Sequence, residues 1–478
     1  MDHALTGDRS IGGGMPQMID YNPRKAQLFR KIVSLIVTVL MCMALVSCKN
    51  SAGEEPDSRT EPQDDPVPEI QYLPIRVTGS LHDSMALEYG AKTAHGYYEI
   101  IDWPDFMLPA DHGYTRYGNI VYTDYATCQK VFLCNVPGCA HNSPDCTSFV
   151  QYTRGAVLFT DYSETHLYLL SYGYHGDDMK PEDVGTVTEM NMDGSERRTV
   201  CTLSSEQVFL NGTMQIASDE YFYQEVGHVE MMSDPNKNNA EVPVEQSVIE
   251  RIWFADGRRE EVFKLRNGFE GTEILYSVWN DEDLIITSEE YSDDTLQLYR
   301  VRLSQAGELI ERIGPLSNVG YYSDRFIITA EEKDQKATVT AKDYATGEVL
   351  TIEDVPAESS MPGRAGIYNR DGYKVNWRFF DDRNEIEKTY ILDFSEGTFK
   401  EFTLLLKNAY DKRAIVVAAD AGDDYLVAIK AEASTRTLTD LQGIPHSFDY
   451  IKAVCALISK EDYWNCVPNY RIIEDKLG

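Results

Sequence analysis

Basic residues are in short supply. The chain sets 44 lysines and arginines against 78 aspartates and glutamates, a formal net charge of −34 over 478 residues. Such a surface excludes nucleic acid as a partner, because a phosphate backbone needs a basic counter-surface, and it reads first as a solubilising field. Long apolar runs are missing too. The longest, Ile32 to Val46, falls short of the about 20 residues a membrane-spanning helix requires. From about Tyr97 onward no segment carries the 3.6-residue period of a long amphipathic helix. G-x-S-x-G, H-E-x-x-H and glycine-rich phosphate loops are absent, which removes the commonest motif-borne hydrolase and nucleotide chemistries. No complete calcium loop with its turn glycine occurs. Acidic pairs such as Asp177-Asp178, Asp281-Glu282-Asp283 and Asp423-Asp424 read as solvated turns. What remains is 42% hydrophobic residues, enough for a real core, and 30 tyrosines, a residue that favours strands.

The N-terminus carries the most specific signal. Arg24, Lys25, Arg30 and Lys31 form a positive n-region, Ile32 to Val46 the apolar h-region, and "LVSC" closes it at Cys48. The residues ahead of Asn22 are long for an n-region and point to Met15 or Met18 as the start. "LVSC" resembles the lipobox of bacterial lipoproteins. That resemblance implies cleavage before Cys48 and a diacylglyceryl group on its thiol, with the protein held at the extracytoplasmic face of the cell membrane. Residues 1–47 are then a lipoprotein signal peptide. Residues 48–72, rich in Pro, Asp and Glu, are a disordered tether, and 73–478 form the folded body.

That body repeats. "TVTEMNMDGSERRTV", "SVIERIWFADGRREEVFKL", "LQLYRVRLSQAGELIERI", "ATVTAKDYATGEVLTI" and "KTYILDFSEGTFKEFTLL" each read as strand, X-Gly turn, strand, around Gly194, Gly257, Gly307, Gly347 and Gly397. The glycines are 40 to 63 residues apart, and another strand pair precedes each hairpin. Four strands per unit at this spacing is the arithmetic of a β-propeller blade. A further hairpin near Ala126 and the strands of "AIVVAADAGDDYLVAIKAE" and "YIKAVCALI" bring the expected total to about seven four-stranded blades. Six or eight also fit, since terminal strands often share a blade. A stack of β-sandwiches would explain the strands but not the recurring unit.

One stretch concentrates chemistry. "CNVPGCAHNSPDC" places Cys134, Cys139, His141 and Cys146 within thirteen residues. Three thiolates and an imidazole suit one tetrahedral, structural zinc. Equally, export permits disulfides, and Cys128 supplies a fourth cysteine for two bridges. Cys42 leaves with the signal and Cys48 carries lipid, so seven cysteines remain, an odd number that cannot pair completely. Free thiols are the third reading, and a catalytic Cys–His pair the least favoured.

This Cys/His stretch after the first hairpin, the propeller-like repeats and the ending "ALISKEDYWNCVPNYRII" together resemble a group of lipoproteins of Gram-positive anaerobic bacteria. Their bodies are similar to TolB-like β-propellers of a domain of unknown function. The resemblance spans nearly the whole mature chain and implies fold and location but no activity. An anaerobic setting weakens oxidation and so favours metal. Cys455 and Cys466 stand where the group has other residues, so a bond between them would be peculiar to this chain. "SKEDYW" reads as a short helical turn capped by Ser459.

Function is expected in the insertions. Tyr172 to Gly185, Val226 to Gln246 and Glu432 to Asp449 lengthen blades, and loops on one face of a propeller commonly bind partners. Tyr174, His175, His228, Met231 and Met232 are the candidate binding-face residues, set against simple tolerated insertion. The expected role is a membrane-anchored binding or scaffolding module for an envelope protein, peptide or glycan. The alternative is a carbohydrate-active lyase or hydrolase, which would need convergent carboxylates, His or Tyr.

Overall fold

The computed structural model describes residues 72–477, apart from 81–89, 175–179, 181–182, 211–214, 235–239, 266–270, 293–294, 317–319, 323–325, 344–345, 358–365, 382–385 and 408–412. The expected signal peptide, Cys48 and all but the last residue of the expected tether lie outside the described residues. The compact unit that concerns the fold runs from Gln71 to Gly478.

Seven antiparallel sheets succeed one another along the described chain, each a meander of strands in sequence order. Blade 1 comprises Gly90–Lys92, Gly96–Asp102, Thr115–Asp124 and an outer edge made of both Gln129–Phe132 and Phe149–Thr153. Blade 2 is Ala156–Thr160, His166–Ser171, Thr186–Asn191 and Arg198–Thr202; blade 3 is Ile216–Ala217, Tyr221–Asp234, Ala240–Trp253 and Arg259–Lys264. Blade 4 runs Gly271–Trp279, Asp283–Ser292, Thr295–Leu303 and Leu309–Leu316, and blade 5 runs Gly320–Tyr322, Phe326–Lys333, Lys336–Asp343 and Val349–Pro356. Blade 6 holds Gly366–Asp371, Lys374–Asp381, Ile386–Asp393 and Thr398–Glu401, and blade 7 holds Val416–Ala421, Asp424–Thr439, Pro445–Ser459 and Arg471–Ile472. The fold is a β-propeller.

The turn glycines of the sequence fall where the repeat arithmetic puts them. Gly194, Gly257, Gly307, Gly347 and Gly397 each turn the third strand of blades 2 to 6 into the fourth, all at positive φ. Blade 1 uses Cys128 at that place, with φ 52°. In blade 7 the helix Lys460–Asn465 makes the connection. Its N-cap is Ser459, whose hydroxyl accepts from the Asp462 amide at 3.0 Å, and Glu461 and Asp462 sit in its first turn.

Neighbouring blades share buried cores. Ile100, Ile120 and Tyr152 of blade 1 pack on Leu158, Leu169 and Met190 of blade 2. Phe159 and Tyr168 of blade 2 pack on Phe222 and Phe254 of blade 3. Blades 5 and 6 share a core around Trp377, and blades 6 and 7 one around Phe402, Tyr425 and Tyr463. Blade 7 then meets blade 1: Tyr97 and Tyr125 pack with Val416, Leu426, Cys455 and Leu457. That seam also holds a Lys130–Glu99 ion pair, with Glu99 buried. Beyond blade 7 the chain adds Glu474–Asp475, parallel to Gln129–Lys130, on the outer edge of blade 1.

The expectation that terminal strands share a blade takes another form. All seven blades keep strands of their own, and the termini add to them. At the N-terminal end Arg76–Val77 pairs with Ile216–Ala217 of blade 3, and Gly79–Ser80 pairs with Gly90–Ala91 of blade 1. The Ile75 amide donates to the Asp281 carbonyl of blade 4 at 2.8 Å, and Arg76 reaches Glu164 of blade 2 at 2.7 Å.

Candidate metal centre

The outer edge of blade 1 is interrupted, and the interruption carries the cysteines. Gln129–Phe132 pairs with Val121 to Asp124, and Phe149–Thr153 pairs with Thr115 to Asn119 of the same third strand. Residues 133–148 leave the sheet between these halves and return to it. Two left-handed positions, Gly138 (φ 73°) and His141 (φ 55°), bend the loop on itself. Short turn bonds, Cys139 N to Val136 O at 3.2 Å and Cys146 N to Ser143 O at 2.9 Å, hold its corners.

The bend brings together Cys134, Cys139, His141 and Cys146, whose ligand atoms all lie within 4.8 Å of one another. Zinc–sulfur bonds of about 2.3 Å set tetrahedral S···S edges near 3.8 Å, so the quartet is close to the size of a metal cage and these residues can hold a metal ion. His141 Nδ1 stands 3.4 Å from Cys146 Sγ, and the His141 amide donates to Cys139 Sγ at 3.4 Å. All seven described cysteines are free thiols, Cys455 and Cys466 included. Cys128 lies apart from the quartet, against the seam of blades 7 and 1.

Electrostatics divides the thiols. Burial pushes Cys146 up to about 12. Burial works in the same direction on Cys134, but hydrogen bonds from the Val136 amide and the neighbouring Cys146 and Cys139 thiols outweigh it and hold Cys134 below the ordinary thiol value. His141 is lowered by burial, toward the neutral imidazole that ligates metals.

The surroundings orient the ligands. Phe132 stacks on the His141 ring with centroids 4.4 Å apart. Asn119 donates to the His141 carbonyl at 2.8 Å and accepts from the Trp103 indole at 2.7 Å. Trp103, Met107, Leu108 and Phe149 of blade 1 close the site together with Leu438 and Phe448 from the long hairpin of blade 7. The Asn142 side chain donates to the Asp440 carbonyl of that hairpin at 2.7 Å. Sequence reasoning named the four residues that converge here and flagged Glu432 to Asp449 as an insertion. It had no signal for where that insertion goes, because register across blades is a tertiary property.

The described candidate binding-face residues lie on two blades, 2 and 3. Tyr174, between the second and third strands of blade 2, stacks on Tyr114 of blade 1 at 3.5 Å. His175 lies outside the described residues. His228, Met231 and Met232 are not in a loop: they belong to the strand Tyr221–Asp234, which with Ala240–Trp253 extends blade 3 as a long hairpin. There Met231 is opposite Pro243 and Met232 opposite Val242, and His228 lies beside Gln207 (3.1 Å) and 3.7 Å from Glu250. Both strands of this hairpin run through the expected insertion, and Pro243 falls within the second of them.

Among the described residues, the Cys/His quartet is the one group of three or more His, Cys, Asp or Glu whose ligand atoms converge. A cleft of about 400 Å³ between blades 6 and 7 is lined by Asp371, Lys374, Lys460 and Trp464.

The fold defines a β-propeller protein. No family model matches the chain, and no curated protein matches it. Among solved structures it is similar to the β-propeller domain of the Trilobed protease from Pyrococcus furiosus, at 10% identity and TM-score 0.40, over 77% of this chain and 97% of that one. It is similar to TolB from Acinetobacter baumannii at 11% identity and TM-score 0.28, over 78% of each. Dipeptidyl peptidase 4 from Porphyromonas gingivalis matches at 9% identity and TM-score 0.38, over 80% of this chain, which spans about half (51%) of that enzyme's length.

Proposed function

We propose that this chain is an extracytoplasmic lipoprotein, anchored in the cell membrane through Cys48, whose propeller is a binding or scaffolding module for an envelope protein, peptide or glycan. One structural zinc on Cys134, Cys139, His141 and Cys146 belongs to this reading. The anchor is supported by the n-region, h-region and "LVSC" of the sequence. The binding role is carried by one observation: two hairpins, Tyr221–Asp234 with Ala240–Trp253 and Asp424–Thr439 with Pro445–Ser459, outgrow their blades. Both join second to third strands, and in a propeller such connections emerge on a common face, which also holds the Trp103 to Leu108 segment of blade 1. On these elements Phe106 is 60% exposed and Ile444 54%, large apolar groups in an acidic surface. Phe106 lies edge-on to Phe448 at 5.8 Å, so it is held in place although it faces solvent. Exposed apolar anchors of this kind suit a protein or peptide. The rival carbohydrate-active reading calls for convergent carboxylates, His or Tyr, whereas the convergent group among the described residues is three thiols and one imidazole.

Cell fractionation tests the anchor: Cys48→Ala is expected to move the protein from membrane to medium, and retention at the membrane would remove the lipoprotein reading. The face is tested in the same cells with a photo-crosslinking side chain at position 106 or 444. A discrete adduct is expected there and not from position 349 on blade 5, where Val349 is equally exposed at 57%. Equal yields from all three positions would end the assignment of a binding face.

A further inference from the structure

Among the described residues, blade 7 and the chain that follows it touch blade 1 in three places. One is the apolar seam around Tyr97 and Leu457, and one is the closing strand Glu474–Asp475. The third is the cysteine loop, onto which the blade 7 hairpin folds through Leu438, Phe448 and the Asn142–Asp440 bond.

That third contact has an unusual interior. Where a loop of this length would ordinarily be filled by aliphatic side chains, residues 133–148 converge on three thiols and an imidazole, with Cys146 only 3% exposed. Small sulfur atoms give little hydrophobic stabilisation, and the loop's own backbone bonds are few. Its shape nevertheless decides whether the hairpin has a surface to land on. His141 holds a left-handed backbone and is stacked on Phe132; its neighbour Asn142 donates directly to blade 7. Fixing His141 therefore fixes Asn142.

We infer that a thiophilic divalent cation of the zinc class, held by Cys134, Cys139, His141 and Cys146, is a clasp that locks the last blade to the first. This rests on the zinc reading given above and adds a role to it. Metal binding freezes the loop, because the binding free energy of such a site is also folding free energy. The frozen loop then presents Asn142 and the Phe132–His141 stack to the tip of the blade 7 hairpin, on the face proposed to bind partners.

Hydrogen exchange on the full chain, loaded with zinc and then stripped by a chelator, tests the clasp. Stripping is expected to speed exchange roughly tenfold or more in 133–148 and also in 436–448, while the Lys333–Lys336 turn of blade 5 stays unchanged. If zinc binds stoichiometrically and its removal opens 133–148 alone, the clasp is overturned and the zinc reading stands. If the chain takes up no zinc, both fall. Should stripping unfold the whole chain, Asn142→Ala decides. Zinc retained with faster exchange in 436–448 supports the clasp, and zinc retained with an unaltered hairpin overturns it.

Discussion

Gly257 and Gly397 occupy equivalent turns in blades 3 and 6, and both need a positive φ, 67° and 62°. Their neighbourhoods differ. A Cβ on Gly257 would meet the Val200 carbonyl of blade 2 at 2.1 Å, whereas one on Gly397 would meet nothing within 4 Å. Gly194 and Gly307 resemble Gly257, approaching Thr147 and Val262 of the preceding blade. In the early blades the glycine thus serves a turn and a close approach at once. Gly397→Ala is expected to cost about 1 kcal/mol, the strain of a left-handed residue with a side chain. Gly257→Ala should cost on the order of 3 kcal/mol, since backbone must also move. Thermal melts of the two variants will rank them, and equal shifts would mean that blades 2 and 3 are not in close register. The turn was legible in the sequence because X-Gly is a local requirement. The close approach was not, because the opposing carbonyl belongs to another blade.

At the scale of elements, the repeat was the most legible feature. Strand, turn and strand recur with a local chemistry, so the seven sheets and even the Ser459-capped helix follow from short segments read alone. The interrupted outer edge of blade 1 is different. Nothing in "QKVFLC" or "SFVQYT" says that both segments pair with one strand, yet this places the cysteine loop at the seam. The closing strand was equally silent, being two residues long. Its attachment has a pH signature. Burial works to raise Asp475, but the Leu477 amide, Lys452 at 3.1 Å and Lys130 outweigh it and hold the carboxyl below its ordinary value. A carboxylate whose folded pKa is depressed contributes stability above its unfolded value, near 3.9, and that contribution is lost as pH falls through the folded one. Between about pH 5 and pH 3 the melting temperature of the native chain should therefore drop more than that of Asp475→Asn. Parallel curves would show that the closing strand is held by its backbone bonds alone.

For the whole molecule, the N-terminal segment matters most and was least foreseen. It falls at the start of the expected body, where no strand was assigned, and it supplies inner-edge strands to two blades. Ile75 is fully buried among Ile216, Tyr223, Leu275 and Leu284 of blades 3 and 4. The Leu73 amide donates to Tyr221, and its carbonyl accepts from Gln305, each at 2.9 Å. Ile75→Ala should cost about 2–5 kcal/mol, as for a core aliphatic residue, read as a lower denaturation midpoint. A change within 0.5 kcal/mol, the usual surface range, would mean that the segment only rests on the body.

The weave of that segment has a mechanical consequence. A chain that left the propeller from an outer edge would peel under tension, one hydrogen bond at a time. Here a tug on the residues ahead of Tyr72 is divided among the Asp281 carbonyl of blade 4, the short pairing with Ile216–Ala217 of blade 3, the Arg76–Glu164 bond to blade 2 and the pairing with Gly90–Ala91 of blade 1. Load entering at one point is shared by four blades that already lean on one another, so the body resists as a unit rather than unravelling from its first strand.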